Sequence, residues 1–232
     1  LFLPKLIAGY AGSWVDIMGY PYFFSLTALL GLPVLILIIW ISKVAPVKNW
    51  MRYNFLNTSI SNLYTKPSSK AEVSSQIIYG EKFKILLKKK SWVKIKTSYD
   101  NYVGFIKNSN FKKRFKPTKK VYKLKARIYK KVKKKFLPTN QFLYFASGIS
   151  VIGKNKTFIQ FEDNKWLRNK DLREITHFEK NYKKIFRLFL NSKYKWGGKT
   201  ADGIDCSALI QIYYYYNRTF FPRDSKDQVK YC

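Results

Sequence analysis

Tyr194–Asn217 reads YKWGGKTADGIDCSALIQIYYYYN. Gly197, Gly198 and then Gly203 predict a loop whose backbone approaches another segment closely. Ser207–Tyr216 contains no helix breaker, so a helix is predicted to start at Cys206. The head of a helix favours an anion, which is the placement a nucleophilic thiol needs. A lone cysteine is also open to a plain packing role, because free Cys is among the most buried residue types. Upstream, Phe178, Tyr182, Ile185, Phe186 and Phe189 recur at helical spacing and predict an amphipathic helix ending near Asn191.

Before that helix the pattern changes to short alternating runs. KFKILL (82–87), WVKIK (92–96) and YVGFI (102–106) predict strands of a small β-barrel, with turns at Lys88–Ser91 and Ser98–Asn101. Similar runs at 121–129, 141–151, 157–161 and 166–167 predict a second, weaker copy over 121–173. Between the copies, Lys112–Lys135 holds 14 Lys/Arg in 24 residues and no acid. Phe115, Tyr122 and Tyr129 are interleaved there, a combination single-stranded nucleic acid would use. No nucleic-acid-binding motif accompanies it, so nucleic acid is not an expected partner and a solvated basic strand and linker is the expected reading.

The whole chain of 232 residues carries 45 Lys+Arg against 13 Asp+Glu, a formal net charge of +32. With 47% hydrophobic and 18% aromatic residues it is too apolar for a disordered chain. Two cysteines exclude a disulfide framework. The single His excludes a His-rich metal site, and no Cys/His cluster has zinc spacing, so neither metal nor cofactor is expected. The charge points to anionic partners such as wall polymer or lipid head groups.

Residues 1–50 hold only Lys5, Lys43 and Lys48 against Asp16, so nearly all the positive charge follows Met51. Ile17–Ser42 is 26 residues without a charge, long enough for a membrane-spanning helix. Lys43, Lys48 and Arg52 behind it would place the part after Lys43 in the cytoplasm, with an extracytoplasmic location as the alternative. Ala8, Gly9, Ala11 and Gly12 have the small-residue spacing that lets membrane helices approach.

Three resemblances sharpen these readings. Gln76, Tyr79, Gly80, Glu81, Trp92, Asp100, Tyr102, Gly104 and Phe105 resemble the bacterial SH3-like domain, with Asn101 in place of its usual Gly and Phe105 in place of its usual Trp. Tyr194-x-Trp196-Gly197-Gly198, Gly203–Ser207, Pro222–Ser225 and Gln228 resemble the NlpC/P60 cell-wall peptidases, with Ala208 for the usual Gly. Pro4–Lys43 is similar to the last two helices of AmpG-type muropeptide permeases, through Gly19–Phe24. The chain begins with Leu, as a piece of a longer reading frame would.

The NlpC/P60 resemblance implies a papain-like cysteine endopeptidase that cuts the γ-D-glutamyl bond to a diamino acid in peptidoglycan-derived peptides. With the permease resemblance it implies muropeptide recycling. It makes Cys206 the nucleophile and Asp205 the carboxylate that binds a free substrate amine. Ser207 and Ser225 become substrate contacts, Tyr102 a residue closing the site, and Glu72 its acidic wall. Asp205 is also readable as a helix N-cap, and Tyr102 as a barrel core residue. The family's general base is a His on a later strand; His177, the one His, lies outside any family motif, and Cys232 matches none. This chain is therefore expected to be inactive by itself, and the alternative is a non-catalytic SH3-like protein that binds wall or membrane. The expected fold is α+β: a transmembrane segment (1–50), two SH3-like β-barrels (51–111 and 112–173), then the helical N-terminal half of an NlpC/P60 domain (174–232).

Overall fold

A computed structural model describes residues 53–231, together with residues 19–22, 25, 29, 32, 33 and 36. The chain divides into two compact units, Leu1–Asn49 and Trp50–Cys232. Most of the expected transmembrane segment, residues 17–42, and Cys232 lie outside the described residues.

The second unit begins with six strands: β1 (Tyr53–Phe55), β2 (Ile60–Tyr64), β3 (Val73–Ile78), β4 (Lys82–Lys89), β5 (Trp92–Thr97) and β6 (Val103–Lys107). They form one antiparallel sheet in the order β1-β4-β5-β6-β2-β3. The alternation seen in the sequence sets the faces: Val93, Ile95 and Thr97 of β5 are buried, and the residues between them are partly exposed. The β5–β6 turn is closed by Asn101 at φ 58°, a left-handed conformation that Asn tolerates where Gly is usual.

Next come β7 (Lys119–Val121), β8 (Lys125–Val132), β9 (Lys135–Tyr144), β10 (Gly148–Ile149), β11 (Gly153–Lys154), β12 (Phe158–Glu162), β13 (Lys165–Arg168) and β14 (Leu172–Glu174). They make a five-stranded sheet, β11-β12-β13-β8-β9, and a three-stranded one, β10-β7-β14. The basic stretch 112–135 is thus built into β7 and β8, where Val121, Ala126 and Ile128 supply buried apolar positions between the lysines.

The last part holds α1 (Tyr182–Leu188), the short hairpin β15 (Lys199–Thr200) and β16 (Gly203–Ile204), α2 (Cys206–Tyr216) and α3 (Ser225–Tyr231). Asn181 caps α1 by accepting from the Lys183 N–H at 3.1 Å. Ala208, Ile212 and Tyr216 lie one turn apart on α2 and are buried. Burying each of the two larger side chains stabilises by about 1.5–3 kcal/mol. The end of β3 is where three cores meet: Ile77 belongs to the core of the first sheet, Ile78 to the helical core and Tyr79 to the core of the second sheets.

Two expectations are overturned. Among the described residues no helix is long and apolar enough to cross a membrane, so the transmembrane segment, and the membrane placement built on it, has no support. The expected α+β mixture of closed barrels and a helical half gives way to a mostly β architecture. The first six strands make an open sheet with β1 and β3 at its edges. Among the described residues the three α-helices of the second unit are 7, 11 and 7 residues long. The hydrophobic alternation that specifies strands does not by itself specify closure.

Candidate active site

The site is built around the head of α2. Asp205 is its N-cap, at φ −93° and ψ 171°, and its Oδ1 accepts from the Ala208 N–H at 2.7 Å. That fixes the helix start one residue before Cys206. The Cys206 thiol is free and exposed. It lines a cavity of about 440 Å³ that also has Asp205, Ser207, Ser225, Tyr102 and Glu72 in its wall. All six residues singled out from the sequence therefore share one cavity, although 134 positions separate Glu72 from Cys206 in the numbering. Cys206 also lines a neighbouring apolar hollow of about 360 Å³, walled by Phe186, Phe189, Leu190 and Leu209.

The loop before α2 is held against β3. Gly197 has φ +68°, and a Cβ there would stand 2.3 Å from the Val73 carbonyl oxygen. Only glycine satisfies both conditions without moving the strand. The Trp196 indole N–H donates to Glu72 Oε1 at 2.8 Å, so the exposed acidic wall is tied to the same loop. Lys199 of β15 is buried and donates from Nζ to both Glu81 carboxylate oxygens at 3.2 and 3.3 Å, while its backbone N–H donates to Gln76 Oε1 at 2.8 Å. Burial pushes the Glu81 carboxyl up, and the Lys199 ammonium pulls against it.

Asp205 does more than cap. Arg223 Nη1 donates to its Oδ1 at 3.0 Å and Nη2 to its Oδ2 at 2.6 Å, and Ser207 Oγ donates to Oδ1 at 3.0 Å. Arg223 Nε reaches across to Ser75 Oγ of β3 at 2.9 Å. Oδ2 has Arg223 as its one donor here, which leaves it acceptor capacity. Tyr102 packs against the first sheet's core and also stands in the cavity wall. Burial raises its phenol pKa, and the Asp224 carboxylate beside it adds to the rise. Sequence reading gave no role to Arg223, Trp196, Asp224 or Lys199. A buried Arg or Lys is normally paired with a carboxylate, but nothing local in the sequence says which.

His177 is elsewhere. Its Nδ1 lies 2.9 Å from the Tyr216 hydroxyl at the other end of α2. At 1.5 Å per residue that is about 15 Å along the helix from Cys206. Burial and the Lys120 charge lower its pKa.

The arrangement is a thiol at the head of a capped helix, in a cleft walled by a β sheet. The fold class to which it belongs is that of the NlpC/P60 proteins. Residues 191–232 match the NlpC/P60 family model. Residues 63–111 match the model described as the bacterial dipeptidyl-peptidase Sh3 domain. An NlpC/P60 family protein from Bacillus cereus has a similar structure, at 18% identity over 77% of this chain and 76% of that one, with a TM-score of 0.64. An NlpC/P60 endopeptidase from Photobacterium damselae subsp. piscicida is similar at 15% identity, over 76% of this chain and 45% of that one, with a TM-score of 0.55. At such identities the structural likeness shows the fold alone. No curated protein matches the chain. The resemblance read from the separated motif blocks is thus shown for the NlpC/P60 and SH3 segments. It points to a cell-wall peptidase, a hydrolase. The matched models do not reach the permease-like stretch at Pro4–Lys43.

Proposed function

We propose that the chain carries the thiol side of a cysteine endopeptidase that cuts the γ-D-glutamyl–diamino acid bond of peptidoglycan-derived peptides. The observation that carries this reading is the exposed Cys206 at the capped head of α2, inside the cavity shared by Asp205, Ser207, Ser225, Tyr102 and Glu72. Sγ of Cys206 attacks the glutamyl carbonyl carbon. The amine of the diamino acid leaves with a proton, and water then hydrolyses the thioester. Among the described residues no histidine lines this cavity, so the group that takes the thiol proton is not assigned.

The cavity wall carries Glu72, Asp205 and Asp224 against Arg223 and Lys226, and because Arg223 is taken up by Asp205, Glu72 and Asp224 supply its free carboxylate charge. This supports a substrate with a free ammonium group, which carboxylates hold by charged hydrogen bonds. The description of the model matched at 63–111, an SH3 domain of dipeptidyl-peptidases, also supports cleavage two residues from a free N-terminus. The same reaction fits muropeptide recycling. The test uses the full-length gene product on L-Ala-γ-D-Glu-diaminopimelate and its N-acetyl form. Cleavage of the free peptide, lost in Cys206→Ala, is expected. Equal rates on both peptides would overturn the free-amine reading.

A further inference from the structure

Three cationic side chains are buried among the described residues: Lys120, Lys199 and Arg223. Lys199 has Glu81 and Arg223 has Asp205. Lys120 has no carboxylate. Its Nζ donates to the carbonyl oxygens of His177 at 2.6 Å and Tyr216 at 2.5 Å, and lies 3.9 Å from the centre of the Tyr216 ring. Two carbonyls and a ring face contact the ammonium, and none of them carries a full negative charge. Burial, with the charge of Arg218 nearby, pushes its pKa down to about 8. Buried charges in proteins are normally paired, and this one is not.

Lys120 lines a cavity of about 450 Å³, separate from the one at Cys206 and placed at the opposite end of α2. Lys82, Lys116 and Arg218 line it too, with Tyr99 and Phe115 among its aromatic walls. The carboxylate in that wall is Glu81, already held by Lys199. The volume is that of a small-molecule site. The Lys82 ammonium lies 3.5 Å from the centre of the Tyr53 ring, outside the cavity lining, but Lys116, Lys120 and Arg218 have no available counter-charge among the described residues. Such a set favours a dianion over a single carboxylate, and a guanidinium fork matches phosphate oxygens.

We propose that this cavity binds a small phosphate monoester, its phosphoryl group facing Lys120 and Arg218 and a planar body against Tyr99 and Phe115. The site is independent of the peptidase reading, since none of its residues lines the Cys206 cavity. A surface this basic attracts any anion, so the test separates the cavity from bulk charge. The probes are adenosine 5′-monophosphate, adenosine and inorganic phosphate, titrated calorimetrically into the full chain at fixed ionic strength. The monophosphate is expected to bind, adenosine to bind at least tenfold more weakly, and phosphate to compete. Arg218→Gln, an exposed residue whose loss leaves Lys120's carbonyl contacts intact, should weaken binding at least tenfold. The double change Lys133→Gln/Lys134→Gln, in the exposed β8–β9 turn, should leave it unchanged, as should Cys206→Ala. Equal weakening by the turn and cavity variants, no weakening by Arg218→Gln, or adenosine binding as tightly as its monophosphate would each overturn the proposal.

Discussion

The guanidinium of Arg223 covers both carboxylate oxygens of Asp205 from eighteen positions along the chain, with neither side chain open to solvent. The residue before the thiol is thereby locked to α3's approach and, through Ser75, to β3. Arg223→Met removes the cation and leaves a buried carboxylate uncompensated. A loss of about 3–5 kcal/mol is expected, read as a lower urea midpoint at unchanged slope. The pair Arg223→Met/Asp205→Asn should recover part of it. A midpoint equal to the wild type's would show that the pair does not hold the site together.

Lys199→Met should change how stability depends on pH. The Glu81 carboxyl is already raised by burial, with Lys199 opposing. A carboxyl raised in the folded state binds its proton more tightly there than in the unfolded chain. Stability then falls as pH rises from the ordinary carboxylate range through the folded value. Without Lys199 that fall should be steeper and extend to higher pH. Parallel wild-type and variant curves between pH 4 and pH 8 would contradict the assignment.

Gly197→Ala should cost about 2 kcal/mol or more, since it adds left-handed strain to a contact with the Val73 carbonyl. The change should also slow peptide cleavage, because Trp196 and its bond to Glu72 would shift with the loop. A thermal midpoint within a degree of the wild type's would count against the close approach.

His177→Asn should leave the alkylation rate of Cys206 by iodoacetamide unchanged, because His177 contacts Tyr216 at the far end of α2. A tenfold slower reaction would tie the two residues together and refute the separation.

Glu72→Gln keeps the acceptor for Trp196 and removes the charge. In the full-length gene product kcat/KM for the free-amine peptide should drop by about fivefold, the modest worth of an exposed ion pair of up to about 1 kcal/mol. The effect should shrink at high salt and vanish for the N-acetyl peptide.

Much of this molecule was legible in the chain. KFKILL, WVKIK and YVGFI became β4, β5 and the β6 region because alternation is local information. Asp205 and Cys206 marked the start of α2 because a cap is local too. Arg223 sat inside a quoted motif block, yet its partners at Asp205 and Ser75 are set by tertiary approach. The membrane-spanning expectation rested on hydropathy and on the permease resemblance, and it found no support among the described residues. The second β region was read as one more barrel. Its pairing into sheets of five and three strands depends on which strands meet, and the alternation does not encode that.

The Glu81–Lys199 pair also orders events in time. The two residues lie 118 positions apart. A ribosome adding about 5–20 residues per second exposes Glu81 on the order of ten seconds before Lys199 exists. Through that interval the first sheet cannot close over Glu81 as a paired ion. It must keep the carboxyl protonated or hydrated, and Ile78 of the helical core waits with it. The nascent first sheet is thus an incomplete object during synthesis, and its last layer is supplied by residues made 118 positions later.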